Sequence, residues 1–202
     1  VEGPDQELCH DGVTDIFVQT DDGSTTLIIV DVEDNPFVDG EMDQTFPNGT
    51  GTIMDDLTNL TNDVQVVIYN VYAEDPTLPC PGPINQIEVT IYPELMVTFP
   101  PTFVCEGECV DLTPDIVGGA GMPYTYQWST GQTSASINVC PVVPTTYSVT
   151  VTDVLGCQDV GEVQVDVKPP VEISLPESID VCKDDNFNPN DPDYFVCLDI
   201  IS

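Results

Sequence analysis

Short stretches in which apolar and polar residues alternate dominate this chain. Residues 87–91 and 163–167 are clear examples, because every second side chain is apolar. A period of two predicts half-buried β-strands, and the prolines that follow both stretches end them. One segment, 53–60, has a weak helical pattern and is expected to form a short turn at best. Further strands are predicted at 15–18, 27–30, 64–71, 109–112, 124–128, 135–139 and 147–151.

Cysteine and proline recur along the chain at a fixed spacing. Cys80 and Cys157 are each followed by a proline after thirteen residues and by another cysteine after twenty-five. Such a repeat indicates tandem modules. We predict a first module at 1–94 that lacks its opening strand, a second at 95–170, and the start of a third at 171–202. Regular short strands with turns between them predict an all-β fold of tandem β-sandwich modules with disulfides.

Eight cysteines occur without any CxxC pair, and the chain has a single histidine, His10. Wide spacing and an even count favour disulfides and an oxidising compartment over zinc sites. Each module has an early and a late cysteine, and Cys109 and Cys140 lie at the ends of predicted strands. Cys182 and Cys197 are expected to pair with each other or with residues beyond Ser202. The predicted bridges are Cys9–Cys80, Cys105–Cys157 and Cys109–Cys140.

The charge balance is strongly acidic, with 36 Asp and Glu against 2 Lys and Arg and a formal charge of −34. Such a chain repels phosphate backbones and anionic lipid, which argues against nucleic-acid and membrane partners. There is no run of eighteen apolar residues that would predict membrane insertion. We expect a secreted protein.

Crowded carboxylates repel each other unless a cation neutralises them, so calcium is the candidate cofactor. The loop 184–193 places oxygen-bearing side chains at alternate positions, without the glycine and final glutamate of an EF-hand. Acidic clusters at 31–43 and 21–23 are weaker candidates, and solvated acidic loops are the simpler interpretation. The sequons at Asn48 and Asn59 are candidate glycosylation sites. The candidate calcium ligands are Asp184, Asp185, Asn186, Asn188, Asn190, Asp191 and Asp193.

Candidate catalytic groups are scarce. His10 follows a predicted disulfide cysteine and has no evident nucleophile beside it. With so many acidic residues, a pair of close carboxylates has no diagnostic value. Trp128 alternates with Tyr126 and Tyr124 on one strand face, which fits either a sugar-stacking platform or a sandwich core, and we favour the core. The chain is therefore not expected to be an enzyme.

Residues 103–167 resemble an immunoglobulin-like repeat of large cell-surface proteins of Bacteroidetes. The most specific runs are WSTGQT at 128–133 and TYSVTVTD at 146–153. Residues 1–94 resemble, more loosely, the PKD-like module of the same proteins. The resemblance implies a long exported adhesin, gliding-motility adhesin or fibre protein, often exported by type IX secretion, with no catalytic residues.

Two functions follow from these observations. The first is a non-catalytic structural or adhesive repeat of a long extracellular surface protein or filament. Its partners would be neighbouring modules of the same chain or identical subunits, with surface glycans or a ligand on a host or neighbouring cell as further candidates. The second is an accessory carbohydrate-binding or spacer module of a secreted enzyme. Strand exchange between subunits is a variant of the first function.

Overall fold

A computed structural model describes residues 4–21, 26–75, 77 and 81–170. The first part of the chain folds into a β-sandwich. A five-stranded sheet has the order β1-β10-β9-β4-β6, and strands β2-β8-β5 and β3-β7 form the opposing layer. The strands are β1 (Gln6–Leu8), β2 (Asp11–Val13), β3 (Ile16–Gln19), β4 (Leu27–Val32), β5 (Val38–Asp39), β6 (Gln44–Phe46), β7 (Thr50–Ile53), β8 (Asp56–Asn59), β9 (Gln65–Glu74) and β10 (Asn85–Ile91).

The second part of the chain forms a similar sandwich. One sheet has the order β12-β18-β17-β15, and the pairs β13-β16 and β11-β14 complete it. The strands are β11 (Met96–Thr98), β12 (Thr102–Cys105), β13 (Val110–Leu112), β14 (Asp115–Val117), β15 (Thr125–Trp128), β16 (Ile137–Val139), β17 (Thr145–Thr152) and β18 (Gln158–Lys168).

Both sandwiches share a strand order that defines the fold. In each, an early strand lies parallel to the last strand, β1 on β10 and β12 on β18, and the other pairs are antiparallel. The last strand then pairs with the preceding one, and that strand pairs with one from early in the module. A sheet of this order facing a second antiparallel layer is the immunoglobulin-like arrangement. The predicted fold class is confirmed.

Alternation along the strands builds two separate cores. In β3, Ile16 and Val18 are buried while Phe17 faces solvent, as the period of two requires. The first core extends from Ile16 to Ile91 and the second from Val97 to Val165, and they share no residue. The predicted module boundary at 94/95 falls between them. The described residues up to Pro169 nevertheless form one compact unit.

Segment 53–60 differs from its prediction. It contains the end of β7 and all of β8, with no helical turn. Leu57 and Asn59 point into the sandwich and Asp56 points out, which is the alternation of a strand. Pairing with β2 and β5 overrides the weak local helical pattern. The described residues contain no helix with the length and apolar character needed to cross a membrane.

Candidate functional site

A disulfide joins the two sandwiches. Cys9 directly follows β1 of the first sandwich, and Cys157 directly precedes β18 of the second. Their sulfur atoms are 2.09 Å apart and their Cα atoms 5.6 Å apart, within the usual range for a disulfide. The bond spans 148 residues of sequence. It fixes the end of the first sandwich to the turn between the last two strands of the second.

Asp153 holds that turn in shape. It is 6 % exposed, and its Oδ1 accepts hydrogen bonds from the backbone N–H groups of Leu155, Gly156 and Cys157 at 3.0, 3.0 and 2.9 Å. Its Oδ2 accepts a further bond from the Ala120 N–H at 2.7 Å. A buried carboxylate with four donors orders the backbone around it. Cys157 is therefore held in position by its own turn.

The linker between the sandwiches is hydrogen-bonded rather than loose. The Gly119 N–H donates to the Pro93 carbonyl at 3.1 Å, and the Val97 N–H donates to Asp159 Oδ2 at 2.7 Å. Gly118 has a φ of +73°, and a Cβ there would lie 1.9 Å from the Glu94 carbonyl oxygen. Only glycine fits so close to the linker backbone. The loop at 118–119 thus packs directly on the linker.

A cleft of about 380 Å³ opens at this junction. Its lining includes Cys9 and His10 and the three acidic residues Asp11, Glu94 and Asp159. The Nδ1 atom of His10 is shielded from solvent and has no hydrogen-bond partner among the described residues. Both cysteines of the lining are consumed in the disulfide. Neither cysteine is therefore available as a thiolate nucleophile beside His10.

The predicted pairs Cys9–Cys80 and Cys105–Cys157 are wrong, because Cys9 is bonded to Cys157. Cys105 is an exposed free thiol. It lies opposite Lys168 at the far end of the parallel pair β12-β18, whereas Cys157 precedes the first residue of β18. An eleven-residue strand is about 35 Å long, far more than a disulfide can bridge.

The third predicted pair, Cys109–Cys140, is present in the structure. Val110 pairs with Val139 in the antiparallel β13-β16 ladder, so the two cysteines are the next pair in register. Their Cα atoms are 4.1 Å apart. The bond therefore joins neighbouring strands of one layer at their ends. Cys80, Cys182 and Cys197 lie outside the described residues.

The two candidate glycosylation sites differ sharply. Asn59 is 1 % exposed, and its Nδ2 donates to the backbone carbonyls of Asp63 and Ile91 at 2.8 and 3.0 Å. In the folded chain this amide is buried and inaccessible to a glycan. The prediction of a glycan at Asn59 is therefore wrong. Asn48 is exposed on the 3-10 turn Pro47–Gly49, and a glycan there stays a prediction.

The predicted calcium loop, from Asp184 to Asp193, lies outside the described residues and stays a prediction. Among the described residues, no group of three His, Cys, Asp or Glu side chains is placed to hold a metal ion. In the 31–43 cluster, Asp43 Oδ1 accepts from the Val32 N–H at 2.9 Å, and Glu41 Oε1 accepts from the Asn35 N–H at 3.0 Å. These carboxylates support the local backbone.

Trp128 is a core residue, as favoured from the sequence. It is 2 % exposed, and its Nε1 donates to the Ser134 carbonyl at 2.9 Å. Phe99 packs against it with ring centroids 5.8 Å apart. A sugar cannot stack on an indole that is enclosed in this way.

A buried polar group in the first sandwich escapes prediction from the sequence. Asp55 is fully buried, and it accepts hydrogen bonds from Tyr69 Oη at 2.8 Å, from Gln44 Nε2 and from the Met42 N–H at 3.1 Å. Burial raises the pKa of Tyr69 well above its usual range, and the bond to Asp55 raises it further.

No protein-family model matches the sequence, and no curated protein matches it. Among solved structures, the chain is similar to the I-band fragment I67–I69 from titin, with a TM-score of 0.43 and 11 % identity over 84 % of this chain and 65 % of that one. It is also similar to Drosophila OTK, extracellular domains 3–5, with a TM-score of 0.40 and 16 % identity over 83 % of this chain and 60 % of that one. For DIP-gamma IG1+IG2 the TM-score is 0.42 and the identity 10 %, over 83 % of this chain and 95 % of that one.

The chain spans slightly less than two thirds of the titin and OTK fragments. At these identities no function is taken from the similarity, and the fold assignment rests on the strand order and pairing. The resemblance to repeats of Bacteroidetes surface proteins stays a prediction. The described residues form a pair of immunoglobulin-like β-sandwiches joined by a disulfide.

Proposed function

We propose that this chain is a non-catalytic structural or adhesive repeat segment of a long extracellular surface protein or filament, acting in cell adhesion, surface attachment or gliding. The observation that carries the proposal is the Cys9–Cys157 bond, which links one sandwich covalently to the next. Together with the hydrogen-bonded linker, it restricts bending at the junction. Resistance to bending and pulling is what a stalk or filament requires of its repeats.

The location proposed is outside the cell. Disulfides persist in oxidising compartments and are rare in the cytosol. Two such bonds, Cys9–Cys157 and Cys109–Cys140, are present among the described residues. The charge of −34 keeps such a chain soluble and discourages contact with anionic surfaces. Both properties suit a surface protein exposed to the medium.

The partners proposed are neighbouring modules of the same chain or identical subunits in a filament. Binding of surface glycans through an aromatic platform has less support, because Trp128 is enclosed in the core. For the same reason, the alternative of an accessory carbohydrate-binding module of a secreted enzyme is disfavoured. A spacer role within such an enzyme is tested by the same experiment as the main proposal.

Immunogold electron microscopy tests the proposal. Antibodies raised against the folded, oxidised chain are applied to intact cells of the source organism, and cells lacking the gene serve as the control. The expected result is labelling along surface filaments or over the cell surface. Label found only in the cytoplasm, or only on a soluble protein with hydrolase activity in the medium, would overturn the proposal.

We also propose that the loop 184–193 binds calcium. Alternating carboxylate and amide oxygens are ligands that suit this ion, and binding to the folded state raises the melting temperature. The full chain should melt at a higher temperature with calcium than with a chelator, and an Asp184→Asn/Asp185→Asn variant should lose the difference. If the unmodified chain has the same melting temperature with calcium and with chelator, the proposed calcium site is wrong.

A further inference from the structure

The two sandwiches carry a cysteine at the same structural position. In the first, Leu8 pairs with Ile91 of the last strand, and Cys9 follows directly. In the second, Val104 pairs with Val167, and Cys105 follows directly. Leu8 and Val104 both pack on the core of their own sandwich. Since side chains alternate along a strand, Cys9 and Cys105 point away from the core in equivalent ways.

Cys9 uses this position to hold the next module. Its partner, Cys157, stands just before the last strand of the second sandwich. The cysteine and proline spacing from Cys157 matches the spacing from Cys80, so each module has a cysteine before its last strand. The bond therefore runs from the early cysteine of one module to the late cysteine of the following module.

Cys105 stands free where this rule expects a bond. Its thiol is exposed, although the equivalent Cys9 is bonded. Phe103, two residues earlier on the same face of β12, is 65 % exposed. The exposed Cys105 thiol is accessible to a cysteine of another module. β18, the partner of β12, leads directly into the segment after Pro170.

We propose that Cys105 is the covalent docking point for the module that follows Pro170, through the late cysteine of that module. The inference rests on the proposed function as a repeat segment and extends it to a chain of staples between successive modules. Two thiols lose two protons and two electrons as the S–S bond forms. A disulfide oxidant such as oxidised glutathione accepts both and becomes two thiols.

A lengthened chain tests the docking rule. A second copy of residues 95–170 is placed after Pro170, which puts the copied Leu95 where Val171 stands. The chain is oxidised with a glutathione redox pair, alkylated and mapped by mass spectrometry without reduction. We expect loss of alkylation at Cys105 and a peptide that links Cys105 to the added counterpart of Cys157. Replacing that counterpart by serine should restore alkylation at Cys105.

The added copy reports on its own folding, because its counterparts of Cys109 and Cys140 must pair. If these two added cysteines pair with each other while Cys105 is still alkylated, the proposed bond at Cys105 is wrong. The proposed function as a repeat segment is tested separately, by surface labelling. If the copy does not fold, the 202-residue chain decides. There Cys105 should be alkylated, whereas a bond to Cys80, Cys182, Cys197 or a second Cys105 would overturn the proposal.

Discussion

The two sandwiches have the same strand order but are stabilised by different means. The first has a buried polar group at its centre, where Asp55 accepts from Tyr69, Gln44 and the Met42 backbone. The second surrounds Trp128 with apolar side chains and has a disulfide across its smaller layer. The core of the first module thus depends on a hydrogen-bond network, and that of the second on packing and a covalent constraint. The buried Asp153 of the second module orders the turn before β18.

This difference separates what the fold requires from what each module adds. The fold requires apolar residues at alternate strand positions, and both sandwiches provide them. A buried carboxylate is costly unless its oxygens are satisfied, so the network of Asp55 selects one arrangement of β6, β7 and β9. The bridge Cys109–Cys140 restricts the unfolded chain instead. The two modules should therefore respond to different perturbations.

Removing the buried carboxylate should have the largest effect. Asp55→Ala leaves three donors without their acceptor, which should cost roughly 3–5 kcal/mol of unfolding free energy in the first sandwich. Hydrogen exchange of the Val67 amide in β9 should quicken, while that of Val149 in β17 should change little. Asp55→Asn, which keeps one acceptor oxygen, should cost less. Equal acceleration at both amides would mean that the sandwiches unfold as one unit.

The disulfide of the second sandwich provides the reciprocal test. A Cys109→Ala/Cys140→Ala variant loses a cross-link over 31 residues, which loop entropy makes worth about 3.7 kcal/mol. Protection of Val149 should now fall, and Val67 should keep its protection. Reducing the wild-type chain is a poorer experiment, because it also opens Cys9–Cys157. Loss of protection at Val67 in the double variant would contradict the independence of the modules.

Alkaline pH should weaken the first sandwich selectively. The pKa of Tyr69 is raised above its ordinary value of 10.0, chiefly by burial and then by its bond to Asp55. A group whose pKa rises on folding contributes stability that is complete below its unfolded pKa and is lost as pH climbs above it. The free energy of unfolding of the first sandwich should therefore fall as the pH rises above about 10, because the Tyr69 hydroxyl ionises more readily in the unfolded chain.

Tyr69→Phe provides the comparison for this pH dependence. At pH 8 the variant should be less stable by roughly 1.5–3 kcal/mol, because one hydrogen bond to a carboxylate is lost. Between pH 8 and 11 the variant should then lose less stability than the wild type. The measurement is urea unfolding, with hydrogen exchange of the Val67 amide in β9 as the readout for the first sandwich. Tyr92, whose pKa is also raised, first by desolvation and then by its bond to Glu7, is common to both proteins. Parallel pH profiles would contradict the role of Tyr69.

The features set by local alternation could be predicted from the sequence. The strands at 87–91 and 163–167 fall within β10 and β18, and Trp128 is in the core. Cys109–Cys140 was also predictable, because both cysteines stand at the ends of strands that pair. In each case the period of two or a strand end carries the information.

The features set by contacts between distant residues could not be predicted. Cys9–Cys157 depends on how one sandwich packs on the next, and cysteine spacing alone leaves several connectivities open. Asp55 is one of 36 acidic residues, and nothing in its immediate neighbours marks it as buried. Asn59 matches a sequon, yet its side chain is used to hold the carbonyls of Asp63 and Ile91.

The smallest effect is expected where the sandwiches are most alike. In the first, Thr58 Oγ1 donates to Asp11 Oδ1 across β2-β8, and in the second, Asn138 Nδ2 donates to Asp111 Oδ1 across β13-β16, both at 2.7 Å. Exposed cross-strand pairs contribute about 0.2–1 kcal/mol, so Thr58→Val and Asn138→Ala should each cost under about 1 kcal/mol.

These two losses should also be similar, because both pairs join the same strands of the common fold. The measurement is urea unfolding with exchange at Val67 and Val149 as the module-specific readouts. A much larger cost for Asn138→Ala would mean that the nearby Cys109–Cys140 bond depends on the pair to hold its strand ends. The disulfide would then act together with its surroundings, and the contrast between a polar first module and a covalently constrained second one would be weaker.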